Sequence, residues 1–373
     1  VMVTGAGGSI GSEICRQIVN INPARIILLD TFEYGLYEVE RELKENLAAI
    51  ENGDDIEIIA LLGSVCNRAQ MENAIKSFEV DTVYHVAAYK HVPMVEKNIV
   101  EGAQNNIFGT LVSAQAAEAY KVKNFVLLST DKAVRPTNFM GATKRFAEQV
   151  LLAIAQRGKG TKFSIVRFGN VLGSSGSVVP LFRKQISSGG PVTVTHPEVT
   201  RYFMTVQEAA QLVIQAGSMA TGGDVFVLDM TEPIRIVDLA KKMVHLMGYD
   251  IKDENSYRGD IAIEYTGLRP GEKLYEELLI GELVTGTEHP KIMRAEEETL
   301  SWDILQPLLT RLSDACQGID LQEIRAVLMD AVDGFEPKEE ASDPLWGLNY
   351  GSDTAATETQ QPAPQKVTPL FKD

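Results

Sequence analysis

The sequence predicts an α/β fold with a doubly wound parallel sheet, and three observations carry that reading. Short apolar runs recur between stretches of helical period, a glycine-rich turn follows the first run directly, and the second run ends in an acid. The first run, Val1-Met-Val-Thr4, leads into Gly5-Ala-Gly-Gly8-Ser-Ile-Gly11 and then an amphipathic helix through Ile14 and Ile18. Glycines at 5, 8 and 11 permit a tight turn, let the backbone approach a pyrophosphate and bring helix against strand. Ser9 and Ile10 then sit where free N–H groups face the phosphates. The second strand, Arg25-Ile-Ile-Leu-Leu-Asp30, places its acid at about the 20-residue distance expected of a carboxylate that binds ribose hydroxyls. Asp30 would repel a 2′-phosphate, which favours NAD over NADP. Each signal alone also fits a plain turn and a helix-capping acid; their spacing is what points to a dinucleotide.

Further strands are expected at Ile56 to Leu62, Thr82 to Val86, Asn124 to Leu128, Phe163 to Val166 and Val225 to Leu228. The helical stretches after Glu101 and Gly141 are rich in alanine and apolar residues, including Phe146, Val150, Leu151 and Ile154. Such faces suit either pairing in a dimer or packing on the sheet. From about Arg167 the strands become sparser and the loops longer, so residues 1–166 are expected to form mainly a dinucleotide-binding domain. Residues 167–345 then form mainly a substrate lobe, with some strands returning to the first sheet. Residues 351–373, rich in Thr, Gln, Ala and Pro without apolar periodicity, are expected to be disordered.

At 373 residues and 45% hydrophobic, the chain can bury one large or two moderate cores. Its 35 basic and 51 acidic residues give a net charge of -16, which argues against nucleic acid or an anionic membrane surface as partner. Any phosphate must be held by local basic residues. Cys15, Cys66 and Cys316 are scattered without metal-binding spacing, so no metal is expected and a reducing compartment fits. No run of eighteen apolar residues occurs, yet the sequence opens almost inside its first strand, so a preceding segment is expected.

The polar candidates cluster after strand ends. Thr130, Asp131 and Lys132 place a hydroxyl, a carboxyl and an amine in succession, and Lys144 lies one helical turn beyond Met140, on the same face. Ala87-Ala-Tyr-Lys-His-Val-Pro93, Ser129-Thr-Asp-Lys132, Met140-x-x-x-Lys144 and Arg167-Phe-Gly-Asn-Val-Leu-Gly173, with the glycine turn, resemble the extended short-chain dehydrogenase/reductase superfamily. More narrowly, from Val1 to about Leu279 they resemble the large, membrane-anchored UDP-N-acetylglucosamine 4,6-dehydratases of bacterial polysaccharide biosynthesis.

The resemblance implies a Rossmann-type fold with a C-terminal nucleotide-sugar lobe, NAD, a UDP-sugar substrate and a homo-oligomer. It also implies transmembrane helices ahead of the soluble part, with the catalytic domain cytoplasmic and the full-length protein in the inner membrane. It assigns catalysis to Thr130, Asp131, Lys132, Met140 and Lys144, the Asp-Lys pair serving as acid at C6 and base at C5 of the sugar. Lys144, Ala87, Ala88 and Tyr89 join the glycine turn and Asp30 at the cofactor, while Lys90, His91, Asn170, Arg201 and Arg269 meet the substrate. Arg269 lies in Arg269-Pro-Gly-Glu-Lys273, and a planar guanidinium suits phosphate oxygens. Two departures matter. Ser64 stands where many relatives use an aspartate at the adenine. Met140 stands where most members of the superfamily carry a catalytic tyrosine; a thioether has no proton to exchange, so the C4 hydroxyl proton must go elsewhere, with Asp131 the best candidate. A 4-epimerase or dehydrogenase of the superfamily, and a non-catalytic NAD-binding regulator, are the competing functions.

Overall fold

The computed structural model describes residues 1–48, 55–252, 259–277, 284–337 and 341–344; the 351–373 segment lies outside the described residues. Its first half alternates strictly. β1 (Met2–Thr4), α1 (Ser9–Val19), β2 (Arg25–Asp30), α2 (Glu33–Ala48), β3 (Glu57–Leu62), α3 (Arg68–Ser77) and β4 (Thr82–His85) follow one another, and then α4 (Val92–Val95) and α5 (Ile99–Ala103). A π-helical turn, Gln104–Phe108, joins α5 to α6 (Gly109–Ala119), after which β5 (Asn124–Thr130), α7 (Phe139–Ala155) and β6 (Lys162–Phe168) complete this half. The second half holds short strands: β7 (Asn170–Val171), β8 (Val192–Val194), β9 (Thr200–Arg201), β10 (Phe203–Met204), β11 (Asp224–Leu228), β12 (Ile234–Arg235), β13 (Ile263–Tyr265), β14 (Val284–Gly286) and β15 (Ile292–Ala295). Its helices are α8 (Val178–Ser187), α9 (Val206–Met219), α10 (Ile236–Leu246), α11 (Trp302–Gly318) and α12 (Leu321–Ala331).

The main sheet runs β3-β2-β1-β4-β5-β6-β11 in parallel, and β15 and β14 extend its β11 edge antiparallel. The doubly wound fold expected from the apolar runs is the fold observed, and each expected strand lies in this sheet. Both faces are buried, as helices on either side require of parallel strands. Successive residues of β2 divide accordingly: Ile27 and Leu29 join one core with Phe125, Phe146 and Leu312, whereas Ile26 and Leu28 join the other with Ile14, Val126 and Val213. A third, smaller core lies apart, where Phe182, Ile186, Val192, Val194, Val237 and Val244 pack α8, β8 and α10 together. The residues after 167 are therefore shared between this small core and the main sheet, to which β11 and β15 belong.

Helix α7 is buried almost all round, Lys144, Glu148 and Gln149 included, so it is enclosed by protein. The residues that suit pairing with a second copy, Phe146, Val150, Leu151 and Ile154, are covered within this chain by α6, α11 and α12. Among the described residues no helix is long and apolar enough to cross a membrane.

Candidate active site

The strand order reverses between β1 and β4, and ligands of such sheets bind beyond the carboxyl ends of the strands there. At the β1 end the glycine turn is forced by packing. Gly5 takes φ +70°, a Cβ on it would stand 2.7 Å from the Ala87 nitrogen, and a Cβ on Gly11 would stand 2.0 Å from the Gly5 carbonyl oxygen. Gly8 caps α1 with no side chain closing the helix end, so the first N–H groups of α1 face outward as an anion cradle. Asp30, half-buried at the end of β2, accepts from the Gly7 N–H at 2.8 Å and the Phe32 N–H at 2.9 Å. Its carboxylate is thereby fixed beside the turn. These residues fit the adenosine and pyrophosphate of a dinucleotide: the turn admits no side chain where backbone must approach, and the acid stands where a ribose would lie. Ser64 turns its hydroxyl to the Cys66 N–H at 3.2 Å.

A cleft with a volume of about 390 Å³ continues from Ile10 along the ends of β4, β5 and β6. Thr130, Lys132, Met140, Lys144 and Asn170 line it, as do Ala88, Lys90 and His91 on the β4 side. Asp131 does not reach this wall. It is 1% exposed beneath Thr130 and Lys132, and its Oδ1 accepts from the Thr130 hydroxyl at 2.8 Å and the Lys132 ammonium at 2.9 Å. Its Oδ2 has no hydrogen-bond partner among the described residues and would lie 3.2 Å from a Cβ on Gly169. Lys132 also donates to Asn170 Oδ1 at 3.3 Å, so one ammonium ties the end of β5 to β7. Burial alone would lower Lys132, but the carboxylates of Asp131 and Glu276 outweigh it and hold the ammonium above its ordinary value.

Helix α7 begins here because Asn138 caps it, accepting from the Gly141 N–H at 2.8 Å, while the Glu96 carboxylate accepts from the Phe139 N–H at 2.7 Å. Met140 and Lys144 face the cleft from its first turns. The Lys144 ammonium donates to the Leu128 carbonyl at 2.7 Å, and burial lowers it to about 8. Tyr89, expected at the cofactor, is exposed and does not line the cleft; Asn106 holds its backbone at both groups, the Tyr89 N–H donating at 2.8 Å and its carbonyl accepting at 3.0 Å. Asn106 sits on the π-helical turn, an irregularity of the kind found at functional sites. His91 packs against Gly176, and burial, then Lys90, lowers its imidazole.

The opposite wall comes from the 269–277 segment. Asn138 Nδ2 donates to the Gly271 carbonyl at 3.0 Å, and Lys273 donates to the carbonyls of Val134 and Arg135 at 3.1 and 2.9 Å. This clamp delivers two acids that sequence reasoning did not single out, Glu272 and Glu276, four residues apart beyond Arg269. Arg201, on β9, pairs with Glu272 at 3.0 Å and approaches Glu276 at 3.7 Å, so its charge is already partly engaged. Arg269 and Lys90 line the cleft and form no ion pair among the described residues.

This strand order, a glycine turn after the first strand and helices on both faces of the sheet define a Rossmann-type dinucleotide-binding fold. The chain belongs to the polysaccharide biosynthesis protein family, whose match covers residues 1–297. It is 53% identical over 279 residues to the capsular polysaccharide biosynthesis protein CapD of Staphylococcus aureus, which covers 75% of this chain and 45% of CapD. The chain spans about half the length of the curated relatives it matches. Among solved structures, Pen from Bacillus thuringiensis superposes with a TM-score of 0.69 at 34% identity, over 81% of this chain and 88% of that one. The dTDP-glucose 4,6-dehydratase DesIV from Streptomyces venezuelae, solved with NAD and TYD bound, shares the fold (TM-score 0.62, 19% identity, 85% and 98% covered).

Proposed function

We propose that the protein dehydrates UDP-N-acetylglucosamine to a UDP-4-keto-6-deoxy-N-acetylhexosamine for glycan biosynthesis, with NAD held by the glycine turn, Asp30 and Lys144. The observation that carries this reading is the hydrogen-bonded trio Thr130, Asp131 and Lys132 beside a cleft whose α7 wall offers Met140 in place of a phenol. Bound there, NAD would supply the redox chemistry, accepting hydride from C4 and returning it at C6. The protein must then move protons at three places: the 4-hydroxyl, C5 and the departing 6-hydroxyl. Asp131 lies behind the wall, so it exchanges protons with the sugar through the groups bonded to its Oδ1. The C4 hydroxyl proton passes by way of Thr130 to Asp131. The Asp131–Lys132 pair then serves as acid to the 6-hydroxyl and base at C5; the two protons it takes up, from the 4-hydroxyl and from C5, equal the two it delivers, one to the departing water and one back to C5 when C6 is reduced. Arg201, Arg269, Lys90, His91 and Asn170 would orient the sugar diphosphate, the fork geometry of arginine suiting phosphate. A homo-oligomer would use a surface other than α7, which the chain itself covers.

The test is to incubate the protein with NAD and UDP-N-acetylglucosamine in deuterated water. A 4-keto-6-deoxy product that absorbs in alkali, with deuterium at C5 and no net NADH, supports the reading; its NMR spectrum also gives the C5 configuration. A 4-epimer without loss of water, or net NADH, would overturn it in favour of an epimerase or dehydrogenase.

A further inference from the structure

We propose that Glu276 belongs to the acid–base centre as a positioning residue that acts through Lys132, holding the ammonium between two carboxylates and aimed at Asn170 and the cleft. This rests on the dehydratase reading above. The Glu276 side chain is 4% exposed, with Oε1 3.8 Å from Lys132 Nζ and 3.7 Å from Arg201 Nε. Its Oε2 has no hydrogen-bond partner among the described residues. An incompletely paired carboxylate at this depth is costly, and it is kept in place by a dedicated clamp. Lys273, bonded to the Val134 and Arg135 carbonyls, and Gly271, whose carbonyl accepts from the Asn138 side chain, fasten the 269–277 segment to the stretch just after Lys132. Arg201 does not require the second acid, because Glu272 already meets it at 3.0 Å. The group that Glu276 adds to is therefore Lys132, which Asp131 bonds from one side only.

The charged groups facing Glu276 are Lys132, Asp131, Arg201 and Lys273, with Glu272 behind Arg201 and Arg135 behind Lys273. With Glu277, which pairs with Lys273 and Arg135, four acids (Asp131, Glu272, Glu276, Glu277) here balance four bases (Lys132, Arg201, Lys273, Arg135). Removing the Glu276 charge leaves an excess of positive charge around Lys132, which then releases its proton at lower pH. Burial, the largest influence on Glu276, pushes its carboxyl up, and Lys132 is the largest of the charges that oppose it.

The experiment compares wild type with Glu276→Gln and Glu276→Asp, each in the whole chain with NAD. With the isosteric glutamine, the basic limb of the kcat profile should move down by at least about one pH unit. Turnover on that basic limb should fall roughly tenfold with a smaller change in KM, and aspartate should restore part of it. In parallel, the lysines are reductively methylated with ¹³C-formaldehyde and the Lys132 signal, assigned with Lys132→Ala, is titrated without substrate. Its midpoint should fall in Glu276→Gln. An unmoved Lys132 titration together with an unmoved pH profile, or a loss confined to KM, overturns the proposal. If wild type itself fails to dehydrate the sugar, the dehydratase reading fails, and the Lys132 titration still decides whether Glu276 controls that lysine.

Discussion

Two buried networks of acids and bases lie in this molecule, and they are built on opposite plans. In the first, Arg167 of β6 donates to both oxygens of Glu148 on α7, at 2.8 and 2.6 Å, and to Glu297; Arg145 closes the set, at 3.0 Å to Glu148 and 2.7 Å to Glu297. Burial alone would raise Glu148, but Arg167 outweighs it and holds the carboxyl at about 2. In the second, Asp131, Lys132, Glu276, Arg201 and Glu272 are spaced more loosely, and Asp131 Oδ2 and Glu276 Oε2 are left without partners among the described residues. A satisfied network rigidifies; a partly satisfied one carries perturbed charges toward a cleft, where a ligand can complete it. The first network staples α7 to the sheet. The second is where chemistry is expected.

Breaking the open network should cost most. Asp131→Asn and Lys132→Ala should each lower 4-keto-sugar formation by about 10²- to 10⁴-fold while NAD affinity stays near wild type, and in the isosteric Asp131→Asn the urea midpoint stays there too. The closed network should respond the other way: Glu148→Gln leaves the buried Arg167 and its neighbour Arg145 to share Glu297 as their one carboxylate and should cost about 3–5 kcal/mol in urea unfolding, with turnover lost only as the folded fraction falls. Arg201→Ala removes charged hydrogen bonds of about 1.5–3 kcal/mol from the substrate side, and should raise KM by roughly tenfold or more with kcat changed less. The smallest effect should come from pH at Lys144. Its folded value, about 8, lies below that of an ordinary lysine, so folding disfavours the ammonium there. As pH rises through about 8 the ammonium is lost, and NAD affinity measured by calorimetry should decline several-fold. Over the same rise, from about 8 to the ordinary lysine range near 10.4, this residue's cost to stability is relieved, so its contribution should move opposite to binding.

The open network also marks the limit of what the sequence discloses. The seven parallel strands were legible because both faces are buried, which makes Arg25–Asp30 or Asn124–Thr130 a continuous apolar run. Strands of two residues, such as β7, β9 and β12, leave no such run. The glycine turn and Thr130-Asp-Lys132 were legible because their spacing is local. Glu276 was not, because its meaning depends on the chain folding back across more than a hundred residues onto Lys132; its only local sign was a pair of acids, Glu272 and Glu276, four apart beside a quoted motif. Asn106 was hidden for a different reason, since its reach to Tyr89 depends on a π-helical turn within a helical run. The apolar faces of α7 were legible as faces but not as to partner, because the helices that cover them, α11 and α12, come about 150 residues later.

Measuring turnover and urea unfolding side by side for Asp131→Asn and Glu148→Gln tests the contrast most directly. The account predicts that the first variant folds like wild type and makes essentially no 4-keto sugar, while the second is several kcal/mol less stable yet turns over in proportion to its folded fraction. Wild-type turnover in Asp131→Asn, or an inactive but fully stable Glu148→Gln, would contradict it.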